Sequence, residues 1–161
     1  MPAGRGRPWP GAGWKRLEPF PFAEAGPFTG VSRDPEALGL SYYRRPDGSF
    51  VALALFGAHC EGAPGQAHGG SILTALDEAL GAAAWNAGFS VLTARLTTQF
   101  RRPVPLGSLM LVETELRGRR LRLVRAAGRL LGADGRVYAS AEGSFFELDQ
   151  TGRRRLFGPA R

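Results

Sequence analysis

The chain has 161 residues and a net charge of +7, with 20 arginines and one lysine against 14 acids. That length fits one domain and excludes a second large one, while 43% apolar and 22% charged residues exclude a wholly disordered chain or a membrane bundle. The lone cysteine, Cys60, excludes an internal disulfide, and no Cys/His cluster has metal-ligand spacing. No uncharged apolar run reaches the roughly 18 residues of a membrane span, and the basic start leads into Trp9-Pro10-Gly11 rather than a signal-peptide core. A cytoplasmic protein without a metal is therefore expected. The charge has two readings: an anionic partner, or a compositional bias toward Arg, Ala, Gly and Leu along the whole chain.

Residues 1–39 hold seven of the 12 prolines together with Trp9, Trp14, Phe20, Phe22 and Phe28. Proline removes backbone donors, yet aromatic residues are poor material for a free tail. An extended arm that packs on the domain or on a neighbouring subunit is expected, its first dozen residues loose, with one short helix near Pro35 to Leu38. A domain over 40–149 follows. It opens with a hairpin, Leu40 to Arg45 and Phe50 to Phe56, joined by Pro46-Asp47-Gly48-Ser49. A glycine-bearing loop, Gly57 to Gly70, leads into the one long helix, Ser71 to Ala87, which Asn86 and Gly88 close. Past its first turn that helix has almost no polar residue besides Asp77, Glu78 and Asn86, the mark of burial nearly all round.

Strand-like segments follow at Ser90–Phe100, Leu109–Gly118, Arg119–Leu131 and Arg136–Leu148, the last two joined by Gly132-Ala133-Asp134-Gly135. Residues 150–161, with Arg153-Arg154-Arg155, read as a basic solvated tail. One helix among five to six mostly antiparallel strands is an α+β arrangement, the helix wrapped by the sheet as in the hotdog architecture.

The chemistry concentrates where the loop enters the helix. His68-Gly69-Gly70 lets a ligand approach the backbone, and first-turn amides with the helix dipole form a site for developing negative charge. Asp77 adds a carboxylate inside an apolar helix, which is costly unless it is paired, hydrated or used. It shares a face with Leu73, Leu80, Gly81 and Ala84, and Gly81 leaves space beside it. The competing reading is a salt bridge at a helix edge, and Glu78, about 100° around the helix, is the natural control.

The string Glu61-Gly62-x-Pro64-Gly65-x-x-His68-Gly69-Gly70, then Asp77, Gly81, Thr93-Ala94-x-Leu96 and Arg102-Pro103-x-Pro105-Leu106, resembles the PaaI-like and THEM-like acyl-CoA thioesterases of the hotdog superfamily. So does Asp134-Gly135-x-Val137-Tyr138-Ala139-x-Ala141-Glu142-Gly143-x-Phe145. The resemblance covers about residues 50–148. It implies hydrolysis of an acyl or aryl-acyl thioester to free acid and CoA, in a homodimer or homotetramer whose site lies at a subunit interface. Asp77 then activates water or attacks the carbonyl itself, the Gly69 amide with Gly70 nearby receives the oxyanion, and His68 shapes the loop. Thr93 positions the water, reaching the site from the other subunit. Coenzyme A enters only as part of the substrate, so no cofactor is implied. One departure stands out: many members carry Asn or Gln six residues before the histidine, where this chain has Gly62, as THEM-like members also tend to. Whether Gln66 substitutes is left open by the sequence.

Arg101 and Arg102, with Arg119, Arg120 and Arg122, form the densest basic region. They read either as holders of CoA phosphates or as a charged strand edge. His59-Cys60 lacks a third orienting group and reads as an ordinary loop pair. Trp85 reads as core or as the cap of an acyl tunnel, with Leu73, Leu76 and Leu80 lining the same helix. Two other classes stay in view. A non-catalytic acyl-CoA binder or sensor would keep the pocket without turnover, whereas nucleic-acid binding lacks any recognised motif beyond the arginines.

Overall fold

The computed structural model describes residues 9–20 and 34–158. Seven antiparallel strands form one sheet: β1 Lys15–Leu17, β2 Leu38–Arg44, β3 Phe50–Phe56, β4 Val91–Phe100, β5 Leu109–Arg120, β6 Leu123–Leu131 and β7 Val137–Glu147. Their spatial order is β1-β2-β3-β5-β6-β7-β4. The long helix α1, Gly69–Asn86, lies across one face, and a second helix α2, Gln150–Phe157, follows β7. This is the expected hotdog arrangement, with one strand more than the sequence pattern suggested. The addition is β1, drawn from the arm and paired to β2 through Arg16↔Tyr43.

The arm does pack on the domain, at least over residues 9–20. β3 is buried along nearly its whole length because it is covered twice. Ala52, Ala54 and Phe56 meet the α1 side, while Val51 and Leu53 join Leu111 on the outer face under Trp9, Trp14, Tyr43 and Leu131. Arg45 sits over the Trp14 ring at 5.0 Å. The short helix expected near Pro35 is instead a turn, with Leu38 already the first residue of β2. Asp34 caps this turn by accepting from the Glu36 amide at 2.9 Å. Expectations about residues 1–8, 21–33 and 159–161 lie outside the described residues.

Alanine lets α1 approach the sheet closely. Ala75, Leu76, Ala79, Leu80, Ala82 and Ala84 are fully buried. Gly128 on β6 makes the matching room: a Cβ there would stand 3.0 Å from Leu80 Cδ2 and 3.1 Å from the Glu113 carbonyl oxygen.

Two boundaries differ from the sequence reading. The strand break expected at Gly118–Arg119 is a β-bulge, with Gly118 at φ +103°, and β5 continues to Arg120 before turning at Leu121–Arg122. Residues 150–157 of the basic tail are largely exposed but helical, because Asp149 caps α2 by accepting from the Gly152 amide at 2.7 Å. Phe157 then meets the Trp85 ring edge-on at 5.6 Å, Phe20 of the arm meets it at 6.5 Å, and the indole N–H donates to the Val91 carbonyl at 3.2 Å. Trp85 is thus enclosed by the chain's own aromatic residues.

Candidate active site

β4 is an edge strand, paired only with β7, and it carries an irregularity beside α1. Thr93 pairs with Phe145 and Arg95 with Ser144, so Ala94 is the extra residue of a bulge. Strand residues normally alternate faces, and the bulge resets that alternation. Thr93 and Leu96, three apart, therefore both turn toward the helix side. There the Thr93 hydroxyl donates to Asp77 Oδ1 at 2.8 Å.

Asp77 and Thr93 thus meet within one chain, which corrects the expectation that Thr93 arrives from a partner. The chain length explains it. From Asp77 the helix climbs nine residues to Asn86, about 14 Å at 1.5 Å per residue. The return from Ala87 to Thr93 is six residues of mostly extended chain, enough to span about 20 Å.

Asp77 is half-buried and, among the described residues, forms no ion pair with a cation, so the salt-bridge reading fails. Burial raises its pKa above the ordinary aspartate range, and the hydrogen bond from Thr93 offsets part of that rise. Glu78 is also raised, by burial first and then by the charge of Asp77. It lies within electrostatic range of the buried Tyr42 hydroxyl, on a different side of α1 from Thr93. Space remains beside Asp77 one turn on, since a Cβ at Gly81 would meet only Phe145 at 3.9 Å. Leu73, one turn before, is 39% exposed, whereas Leu76 and Leu80 are core residues.

The loop before α1 is closely built. His68 is the N-cap, and its Nδ1 accepts from the Gly70 amide at 2.8 Å. That bond occupies Gly70 and fixes the ring, while the Gly69 amide, first in the helix, has no protein acceptor among the described contacts. Phe100, at the end of β4, stands 3.6 Å from where a Gly69 Cβ would lie and is 55% exposed. Sequence reading passed over Phe100, whose only signal is an exposed aromatic closing a strand. The Gly62 departure has a steric reason: a Cβ there would lie 2.8 Å from His68 Cα, so the loop has no room for Asn or Gln. Gln66 Oε1 is buried without a hydrogen-bond partner.

The helix separates the two halves of the candidate chemistry. Gly69 and Asp77 are eight residues apart, about 12 Å along the axis. One thioester carbonyl cannot touch both groups of a single chain. The arginines are separated as well. Arg102 donates to the Val137 carbonyl, and Arg101 donates to Gln99 Oε1 at 2.8 Å, at the Phe100 end of β4. Arg119, Arg120 and Arg122 lie at the β5–β6 turn, near the opposite end of β4, where Leu123 and Leu92 both pair with Phe146. Cys60 is buried and His59 pairs with Asp34 at 3.4 Å, as fits an ordinary loop pair.

Comparison with known proteins agrees with this arrangement. Residues 64–138 match the thioesterase superfamily. The chain is 37% identical over 92 residues to acyl-coenzyme A thioesterase THEM4 of Rattus norvegicus, covering 53% of this chain and 40% of that protein. It therefore spans about two fifths of the length of that curated relative. A crystal structure of a thioesterase superfamily protein superposes with a TM-score of 0.63 at 32% identity, over 68% of this chain and 54% of the other. A hypothetical thioesterase from Streptococcus pneumoniae, solved with coenzyme A, gives 0.64 at 18% identity over 70% and 88%, a likeness of fold. The wrapped helix and these structural neighbours show the hotdog fold, and residues 64–138 are similar to the thioesterase superfamily.

Proposed function

We propose that this chain hydrolyses acyl-CoA thioesters in a homodimer whose two sites each draw on both protomers. The carrying observation is the Thr93–Asp77 hydrogen bond at a half-buried carboxylate that, among the described residues, has no cation partner, on a helix whose first amide has no acceptor among them. The names of the relatives and the coenzyme A in a neighbouring structure support the substrate class. The 12 Å gap between Gly69 and Asp77 supports the two-chain site, because a second copy brings its own helix start to the first copy's carboxylate. The exposed edge of β4, next to Thr93, is the natural place for that copy to join, and two such dimers can associate into a tetramer.

In the reaction, a water held by Thr93 gives a proton to the Asp77 carboxylate as its oxygen attacks the thioester carbon. Charge moves to the carbonyl oxygen, which the opposing Gly69 amide and helix dipole stabilise. The intermediate collapses, breaking the C–S bond, and the proton on Asp77 passes to the leaving thiolate. Alternatively Asp77 attacks directly, forming an anhydride that water opens. Label entering Asp77 during single-turnover hydrolysis in ¹⁸O-water identifies the anhydride route, in which water opens the aspartyl carbonyl. Each step uses protein groups, substrate and water. Arg101 and Arg102, following Phe100, are placed to meet CoA phosphates at the helix-start end, and Gly70 shapes that approach. The single buried Cys60 fits a reducing cytoplasm.

The test is complementation. Asp77→Asn and Gly69→Pro each remove one half of the site; proline is tolerated at the first helical position and His68 already has the extended backbone proline requires, at φ −61° and ψ 142°. Mixed statistically, half the dimers are hybrids with one intact site, returning about a quarter of wild-type activity toward an acyl-CoA panel. No recovery would refute the shared site. Tight acyl-CoA binding without turnover in wild type would instead identify a sensor.

A further inference from the structure

The outer sheet face, away from α1 and from Asp77, ends in a feature that the hydrolytic reading does not use. Leu92, Phe146 and Leu123 are direct cross-strand partners in one row, and each is at least 40% exposed. The β5–β6 turn beside them carries Leu121, which is 85% exposed. Leu121 is also the one non-glycine residue at positive φ, +55°, among the described residues. Asparagine or glycine would hold that conformation with less strain. A strained leucine projecting into solvent contributes nothing to the core, and an outlier of this kind motivates a search for a role.

The surroundings give the chemistry. Arg119 pairs with Glu147, and Arg122 reaches Asp149 at 3.5 Å while lying 4.5 Å over the Phe146 ring. Among the described residues, Arg120, directly opposite Leu123, and Arg125, two residues further along the same face, have no carboxylate partner. An apolar projection flanked by unpaired guanidinium groups matches a surface that is apolar below and anionic above. A peptide would need a groove or a free strand edge; β6 is paired on both sides, and the unpaired edge of β5 beyond Glu113 is separate from the turn, from which Leu121 projects.

We propose that the β5–β6 turn docks on an anionic lipid surface, Leu121 entering the headgroup boundary while Arg120 and Arg125 meet lipid phosphates. The contact is peripheral, since no described helix is long and apolar enough to cross a membrane.

Co-sedimentation of the full chain with vesicles tests it. Binding is expected to vesicles mixing phosphatidylglycerol with phosphatidylcholine and not to phosphatidylcholine alone, and to weaken as salt rises. Leu121→Asn, which suits the positive φ, and Arg120→Gln should each weaken partitioning about five-fold. Leu121→Asn should leave hydrolysis of a soluble short-chain acyl-CoA intact, which separates this proposal from the catalytic one. Three results would overturn it: no association with anionic vesicles at low salt, binding that neither variant changes, or loss of binding on Arg153→Gln/Arg154→Gln/Arg155→Gln while the turn variants still bind. Displacement by polyglutamate with equal loss in the turn variants would assign the surface to an acidic polypeptide and overturn it as well.

Discussion

Replacing Asp77 with asparagine isolates charge from shape. Asparagine keeps the oxygen that accepts from Thr93 at 2.8 Å and fills the same half-buried space. Only the capacity to take a proton or to attack is removed. A positioned general base contributes roughly 10²–10⁴ in rate, or about 3–5 kcal/mol at 1.36 kcal/mol per decade. Thiol release from acyl-CoA should therefore fall at least a hundred-fold in kcat, with KM little changed. Stability should move the other way. Burial raises the Asp77 pKa in the fold, so the fold favours the protonated form; that contribution is full below the ordinary aspartate range and is lost as pH rises through the raised value. At pH 7 wild type carries the cost and asparagine does not, so the variant's Tm should equal or exceed wild type there, the difference closing at acid pH. Retention of more than about a tenth of wild-type kcat would refute the base assignment. A dead variant less stable than wild type at pH 7 would refute the burial argument.

Gly69→Pro deletes one backbone donor and should lower kcat about 10²–10³-fold with an unchanged circular dichroism spectrum; an active variant would remove Gly69 as the oxyanion donor. Thr93→Val removes the hydroxyl, and because that end of the bond is exposed, a kcat loss of about ten-fold is expected. It should also push the acid limb of the pH–rate profile upward, since the lost bond lowers the Asp77 pKa; a profile that stays in place would contradict this. For wild type, that limb should lie above the ordinary aspartate range. Gly128→Val forces a side chain against Leu80 and the Glu113 carbonyl and should destabilise by about 1–3 kcal/mol in urea melts, without changing KM in whatever protein folds.

The helix and its carboxylate were readable because both signals are local: a mostly apolar stretch of 18 residues, broken by the adjacent acids Asp77 and Glu78, at a fixed spacing from a Gly-Gly start. The pairing of Thr93 with Asp77 was misread because it depends on a bulge at Ala94, which leaves no mark in composition. The strand boundary at Gly118 failed for the opposite reason. A glycine at φ +103° advertises a turn but serves a bulge, while the real turn holds a leucine, which advertises nothing. Asp149 was a legible cap, overshadowed by the arginines behind it. The arm strand β1 is only three residues long and owes its place to Tyr42 and Tyr43 across the ladder rather than to any pattern of its own.

Trp85 touches Phe20 from one end of the chain and Phe157 from the other. A single indole thereby ties the first and last described elements into one cooperative unit. Loosening either end wets the same ring, so its emission should shift red whichever end detaches, and its indole proton, held by Val91, should exchange only when the clasp opens.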